Sequence, residues 1–364
     1  MSTGKIGGSL LAGAVLSRLG ATDPDVLVGP GAGLDVGVVR VGPGTVAAIT
    51  TDPFFVLPTL GWRRAGWFAV HILASDAATS GLPPRFLTVD LNLPPELTDD
   101  GLAELWAACS EAAAQIGVSV VAGHTARYDG CAWPMVGGAT CFALGPEDRY
   151  VTPAMARAGD RVVLTKGAAI EATALLAASF PERTAAAVGA AHAAAATDLV
   201  DRMSVVADCA VAAAYGLRED GVTAMHDATE GGVLGGLAEL AAASRVGLRV
   251  DLAAVPVRAE VAAVCAAAGM DPYAAISEGT LLATVRPGHV DGLLAAWRSA
   301  GVEAAEVGEV VPAADGCELG DGRPLRHPGA DPYWAAYARW NAAAGTAGAG
   351  PVAIHSPGRG TPGL

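Results

Sequence analysis

Short apolar runs that end on a carboxylate or a hydroxyl recur along this chain. Glycine turns and segments of helical apolar spacing separate them, an order that restricts the chain to layered α/β architectures. The clearest instance is Met225-His226-Asp227-Ala228-Thr229-Glu230-Gly231-Gly232, which follows an apolar run and opens the apolar-periodic stretch 233–243. Two glycines at a helix start let backbone N–H groups approach an anion, and Asp227 and Thr229 add an acceptor and a hydroxyl at the same spot. The same residues suit a plain helix N-terminus, with Asp227 or Thr229 as the cap and Gly231-Gly232 turning the chain. The first reading gains weight because four other acidic or polar motifs lie upstream at predicted strand ends.

Taken in order, Gly4-Lys5-Ile6-Gly7-Gly8 precedes an amphipathic helix over 9–19, and Lys5 either reaches a phosphate or stays solvated. A glycine turn at 29–33 leads into a strand over 34–39 that carries Asp35. A second strand, 46–50, ends in Thr51-Asp52-Pro53. A carboxylate just past a strand end is where α/β sites collect ligands, although Asp52 also suits a turn before proline. A helix through Trp62, Ala65, Ala69 and Ile72 runs into Ser75-Asp76-Ala77. A carboxylate among small apolar residues must meet a metal, a cation or backbone N–H groups. Residues 86–93 read as a strand, 102–116 as a helix, and 118–122 as a buried-type strand delivering Gly123-His124-Thr125. His124 is open to three roles: ligand, acid/base, or core histidine. A strand over 133–144 closes this half.

The second half begins near Gly145, with strands expected at 161–164, 248–252, 281–285 and 305–311. Helices are expected with Glu171 in a first turn, through the Ala-rich region to 215, and at 258–268 and 290–300. Past Trp340 the Gly, Ala, Pro and Ser tail has too little apolar content to order itself. The expected division is 1–145, 146–340 and a disordered tail 341–364.

A chain of 364 residues suffices for two domains with their own cores. Its net charge of −14 argues against nucleic acid and anionic membranes as partners, but not against a nucleotide held by metal and backbone dipoles. Six scattered cysteines without a Cys-x-x-Cys pair, and no apolar segment behind a basic N-terminus, point to a reducing, cytoplasmic setting. Gly189 and His192 break the Ala-rich run, so it does not read as a membrane span.

Together these motifs resemble the aminoimidazole ribonucleotide synthetase (PurM-like) superfamily, most closely its hydrogenase-maturation branch. The residues that carry the likeness are Leu34-Asp35-Val36, Thr50-Thr51-Asp52, Ser75-Asp76-Ala77 with Gly81 and Pro83, Gly123-His124-Thr125, Asp227 to Gly232, and Ser277-Glu278-Gly279-Thr280. The resemblance implies a two-domain α/β (α+β) fold in which the first-domain sheets of two subunits pair into a barrel, making a homodimer. It implies ATP between the N-terminal domains, magnesium on Asp35, Asp52 and Asp76, and the loop from Asp227 to Gly232 facing phosphates or acceptor. Lys5, Thr125, Gly231 and Gly232 are further nucleotide candidates; His124, Asp227 and Thr229 are the catalytic candidates. The chain departs from many relatives at Leu34, where an acid is missing, at His124, where they carry an acid, and at Glu230, where several branches carry Arg.

Three functional readings follow. The first is ATP-dependent phosphorylation of an amide, carbamoyl or related oxygen of a small molecule, with phosphate then displaced or eliminated. The second is a simple small-molecule kinase. The third is a non-catalytic dimeric scaffold. Relatives that make cyanide carry their substrate on a C-terminal cysteine. Here the last cysteine, Cys317, falls between two glycine turns, so a free small-molecule acceptor is expected, with His124 near Asp76 as its proton shuttle.

Overall fold

The computed structural model describes residue 6 and residues 8–345; Lys5 and the stretch 346–364 lie outside the described residues. The first domain is organised on β3 (Thr45–Asp52), where Val46, Ala48 and Thr50 share one buried face. It belongs to a six-stranded sheet with β1 (Val26–Val28), β2 (Gly37–Gly42), β5 (Pro84–Leu93), β6 (Ser119–Arg127) and β8 (Gly138–Pro146). The spatial order is β1-β2-β3-β8-β5-β6, and only β5 and β6 run parallel. β4 (Phe55–Val56) and β7 (Met135–Val136) form a short separate ladder.

Helices Gly61–Thr79 and Asp99–Gln115 pack on each other, and Gly66 permits their close approach. A Cβ there would stand 2.8 Å from the Ala108 Cβ. Thr98 caps the second helix by accepting the Gly101 N–H at 3.1 Å, and Asp99 and Asp100 suit the positive end of its dipole.

The second domain holds β9 (Arg161–Thr165), β10 (Val222–Asp227), β11 (Gly247–Val250), β12 (Leu281–Val285), β13 (Ala304–Val311) and β14 (Cys317–Leu319). Their order is β10-β12-β9-β13-β11-β14. β10 and β12 are buried on both faces, which suits the apolar run of β12, whereas β10 also buries Thr223, His226 and Asp227. Helix Gly61–Thr79 joins the domains. Phe68 enters a core with Ile170, Leu176 and Met203, Ala78 packs with Leu217 and Met225, and the Ser75 hydroxyl accepts the Val205 N–H at 3.0 Å. Each large apolar side chain so buried stabilises the junction by about 1.5–3 kcal/mol.

Five local expectations are corrected. The strand expected at 34–39 starts only at Gly37, because Gly33 (φ 72°) bends the chain tightly against Glu239 and leaves Asp35 in a bend. The strand expected at 133–144 is split at Gly137, where a Cβ would overlap the Asp90 carbonyl. The N-terminal helix ends at Leu16, with exposed Leu10 and Val15. β6, read as buried, is exposed along nearly its whole length because it is the edge strand of the sheet. At the other end, helix Pro332–Gly345 continues past Trp340 into the residues expected to be disordered, anchored by buried Tyr333, Ala336 and Trp340. Among the described residues no helix is long and apolar enough to cross a membrane.

Candidate active site

A cavity of about 540 Å³ opens between the two domains. The first domain contributes Asp35, Asp52 and Asp76 to its lining; the second contributes Glu171, Asp227, Glu230 and Glu278. Among the described residues no lysine, arginine or histidine lines it. The predicted carboxylates are therefore gathered in one place, although only Asp52 and Asp227 end strands. Asp76 lies inside helix Gly61–Thr79, and Asp35 in the bend before β2.

Thr50 and Asp52, two apart on β3, share a face, and the Thr50 hydroxyl donates to Asp76 Oδ2 at 2.8 Å. Burial, then the charges of Asp227, Asp52 and Asp35, hold the Asp76 carboxyl well above the usual carboxylate range, against the pull of the Thr50 hydrogen bond. Asp35 Oδ1 meets His226 Nδ1 at 2.7 Å, and His226 Nε2 meets Glu239 Oε2 at 3.1 Å. Burial acts to lower the His226 pKa, but the two carboxylates raise it well above its ordinary value. Asp35, His226 and Asp227 bring ligand atoms within 4.8 Å of one another. Both His226 ring nitrogens already face carboxylates, so the oxygens of Asp35 and Asp227 are the atoms of this trio left for a cation. Asp35 Oδ2 is buried and has no hydrogen-bond partner among the described residues.

Across the cavity, Glu171 Oε2 accepts the Glu278 N–H at 3.0 Å. Burial pushes the Glu171 carboxyl up to about 8; the Glu278 amide opposes that shift, and Asp331, Asp227 and Asp52 add to it. Burial, followed by Asp227, Glu171 and Asp76, also raises Glu278 well above its ordinary value. The Glu278 turn is fixed from below: Ser277 Oγ accepts the Ile170 N–H at 3.2 Å and Thr280 Oγ1 donates to the Gly167 carbonyl at 2.6 Å.

The glycine loop differs from expectation. Gly231 (φ 92°) and Gly232 (φ 60°) do turn the chain into helix Gly232–Ser244, but the Gly231 N–H donates to Asp331 Oδ2 at 2.7 Å and the Gly232 N–H to the Thr229 carbonyl at 2.9 Å. The anion at this helix N-terminus is the chain's own carboxylate, and the glycines do not line the cavity, whereas Thr229 does. His124 and Thr125 are also absent from the lining. They sit on exposed β6, with His124 Nε2 3.1 Å from the Tyr128 hydroxyl. β8 and β5 stand between β6 and β3, about 14 Å at some 4.8 Å per strand spacing, so His124 is not beside Asp76 in its own chain. Sequence reasoning gave no role to His226, Glu239, Asp331 or the aromatic residues of the C-terminal helix. The signal for the last was the spacing of Tyr333, Tyr337 and Trp340.

The model for the N-terminal domain of AIR synthase related protein matches residues 33–159, and that for the C-terminal domain matches 157–317. Carbamoyl dehydratase HypE of Rhizobium leguminosarum bv. viciae is 30% identical over 284 residues, 74% of this chain and 75% of that protein. The crystal structure of E. coli HypE, a hydrogenase maturation protein, is similar with a TM-score of 0.67 at 27% identity, covering 79% of this chain and 87% of that one. A HypE solved in complex with ATP gives 0.59 at 23% identity over 90% and 96%. The chain belongs to the AIR synthase related family and, within the PurM-like superfamily of ATP-dependent enzymes, to its HypE-like branch.

Proposed function

We propose that the interdomain cavity binds Mg-ATP beside a small-molecule amide or carbamoyl acceptor, and that the terminal phosphoryl group passes to the acceptor oxygen, which then leaves as phosphate. The observation that carries this reading is a cavity lined, among the described residues, by seven carboxylates and no basic side chain. Such a site needs cations to bind a nucleotide, and the partnerless Asp35 Oδ2 is an oxygen donor of the kind magnesium prefers. Asp35, Asp52, Asp76 and Asp227 would hold magnesium, which supplies neutralisation of the phosphate charge.

The protein's own part is positioning and proton handling. Thr50 fixes Asp76, and His226 with Glu239 fixes Asp35, so the carboxylates are oriented before anything binds. Burial and neighbouring carboxylates raise Glu171 and Glu278, so in their ionised forms they are strengthened bases that would take the protons released as the acceptor's N–H bonds are lost. Dehydration after phosphorylation is the step that distinguishes this reading from a simple kinase. Cys317 sits in edge strand β14 with Sγ 3.9 Å from the Val246 carbonyl, which supports a free acceptor over one carried on this thiol. The reading includes a homodimer. The exposed edge strand β6, with Val120 and Val121, and Tyr128 just beyond it, is the surface expected to meet a second copy, placing His124 and Thr125 at the subunit boundary.

Phosphate release from ATP, measured against a panel of amides, carbamoyl compounds and alcohols, tests this. Inorganic phosphate appearing only with an amide or carbamoyl compound is expected. A phosphorylated acceptor that accumulates without phosphate release assigns a kinase, and no turnover with any acceptor contradicts both.

A further inference from the structure

One wall of the cavity comes from outside the region the family models match. Helix Pro332–Gly345 begins after residue 317, where that match ends, and it turns Tyr333, Trp334 and Tyr337 to the cavity. Tyr333 is buried, with its ring 5.2 Å from Trp334 and 5.9 Å from Tyr337. Trp334 and Tyr337 are half-buried, with ring surface left to a ligand. The wall is fixed in place. Asp331 accepts the N–H groups of Gly231 and Tyr333, Phe180 packs 5.2 Å from Tyr337, and Trp334 Nε1 donates to Glu230 Oε1 at 3.3 Å. The last bond sets a carboxylate at the edge of the indole, on the cavity lining.

The charge pattern there is one-sided. Elsewhere arginines cover aromatic faces: Arg85 on Phe86, Arg183 on Trp340 and Arg218 on Tyr150. Among the described residues no such cation stands over Tyr333, Trp334 or Tyr337. Glu278, only 2% exposed, lines the same cavity with Oε1 lacking a hydrogen-bond partner in the described structure. Aromatic faces beside carboxylates attract a positive charge, and an anion would shed its hydration among like charges.

We propose that the acceptor is an organic cation whose apolar body lies on Tyr333, Trp334 and Tyr337, with Glu230 beside its positive charge and its amide end toward Glu278. This names the substrate class of the acceptor site described above and rests on that assignment. The helix beyond the family core is then the specificity wall of this chain.

The test is calorimetric titration of the full chain, with and without Mg-ATP, using three aromatic amides of similar shape: the cation 1-methylnicotinamide, neutral benzamide and the anion 4-carbamoylbenzoate. The cation should bind roughly tenfold more tightly than the neutral amide, and the anion most weakly. Trp334→Leu and Tyr337→Leu should each remove most of that preference. Glu230→Gln should weaken the cation and spare benzamide. All three variants should keep the rise in melting temperature given by Mg-ATP, which shows that they fold. Equal or tighter binding of the neutral or anionic amide overturns the proposal, as does no binding of the cation at millimolar concentration. Loss of nucleotide stabilisation in the Trp334 and Tyr337 variants, with cation binding kept, assigns the wall to the adenine base and also overturns it. A parent protein that prefers the cation but gains nothing from Mg-ATP leaves this inference standing and removes the nucleotide reading instead.

Discussion

Glu171 sits in the first turn of its helix, where an acid is ordinarily stabilised as the anion, yet burial pushes its carboxyl up to about 8 from 4.5. Between those two values the folded protein keeps a proton that the unfolded chain has lost, so stability falls as pH rises through that window. In Glu171→Gln the amide oxygen can still accept the Glu278 N–H, while the titration disappears. Denaturant unfolding in EDTA should show the parent losing stability from about pH 5 to pH 8 and the variant losing less, by on the order of 1–3 kcal/mol at the upper end. Parallel curves would show that this carboxyl is not the buried acid described. Asp52, Asp76 and Asp227 were legible in the sequence because each stands at the end of a strand-like run or among small apolar residues, where a charge is conspicuous. Glu171 and His226 were not, since their partners lie 107 and 191 positions away.

The glycine loop shows how an element's role depends on a distant residue. Its backbone turns as the sequence implies, with both glycines at positive φ and Gly232 so close to the Ala275 carbonyl that a Cβ would stand 2.5 Å from it. What the loop binds was not legible, because Asp331, 100 positions on, takes the Gly231 N–H. Asp331→Ala leaves that buried donor unsatisfied, and unfolding free energy should drop by about 1–3 kcal/mol, while Asp331→Asn should lose less. Equal stability of Asp331→Ala and the parent would mean that the contact does not hold the C-terminal helix in place. β6 makes the complementary point: its apolar run looks buried, but an edge strand's burial is decided by what lies beside it, which one chain's sequence does not state. Light scattering of the full chain at micromolar concentration should give twice the mass of one chain, and a monomer mass would contradict the assembly proposed around β6.

At the scale of the whole molecule, the order of strands, turns and acids foretold the two sheets and the gathering of Asp35, Asp52, Asp76 and Asp227 in one cavity. The Ala-rich middle foretold helices but not their breaks, because alanine favours a helix without marking which face is covered. The C-terminal helix was under-read for a similar reason: its first turns carry the aromatic wall, yet they run straight into low-complexity sequence. The interdomain cavity depends on both halves holding their carboxylates together, and Mg-ATP is the ligand proposed for that charge. The direct measurement is the melting temperature of the parent, Asp52→Asn and Asp76→Asn as Mg-ATP is raised to millimolar levels. At a hundredfold excess over Kd the parent should gain about 2.7 kcal/mol, seen as a rise of several degrees, and each variant should show none. A parent that does not respond, or variants that respond as fully as the parent, would contradict the assignment of this cavity to the nucleotide.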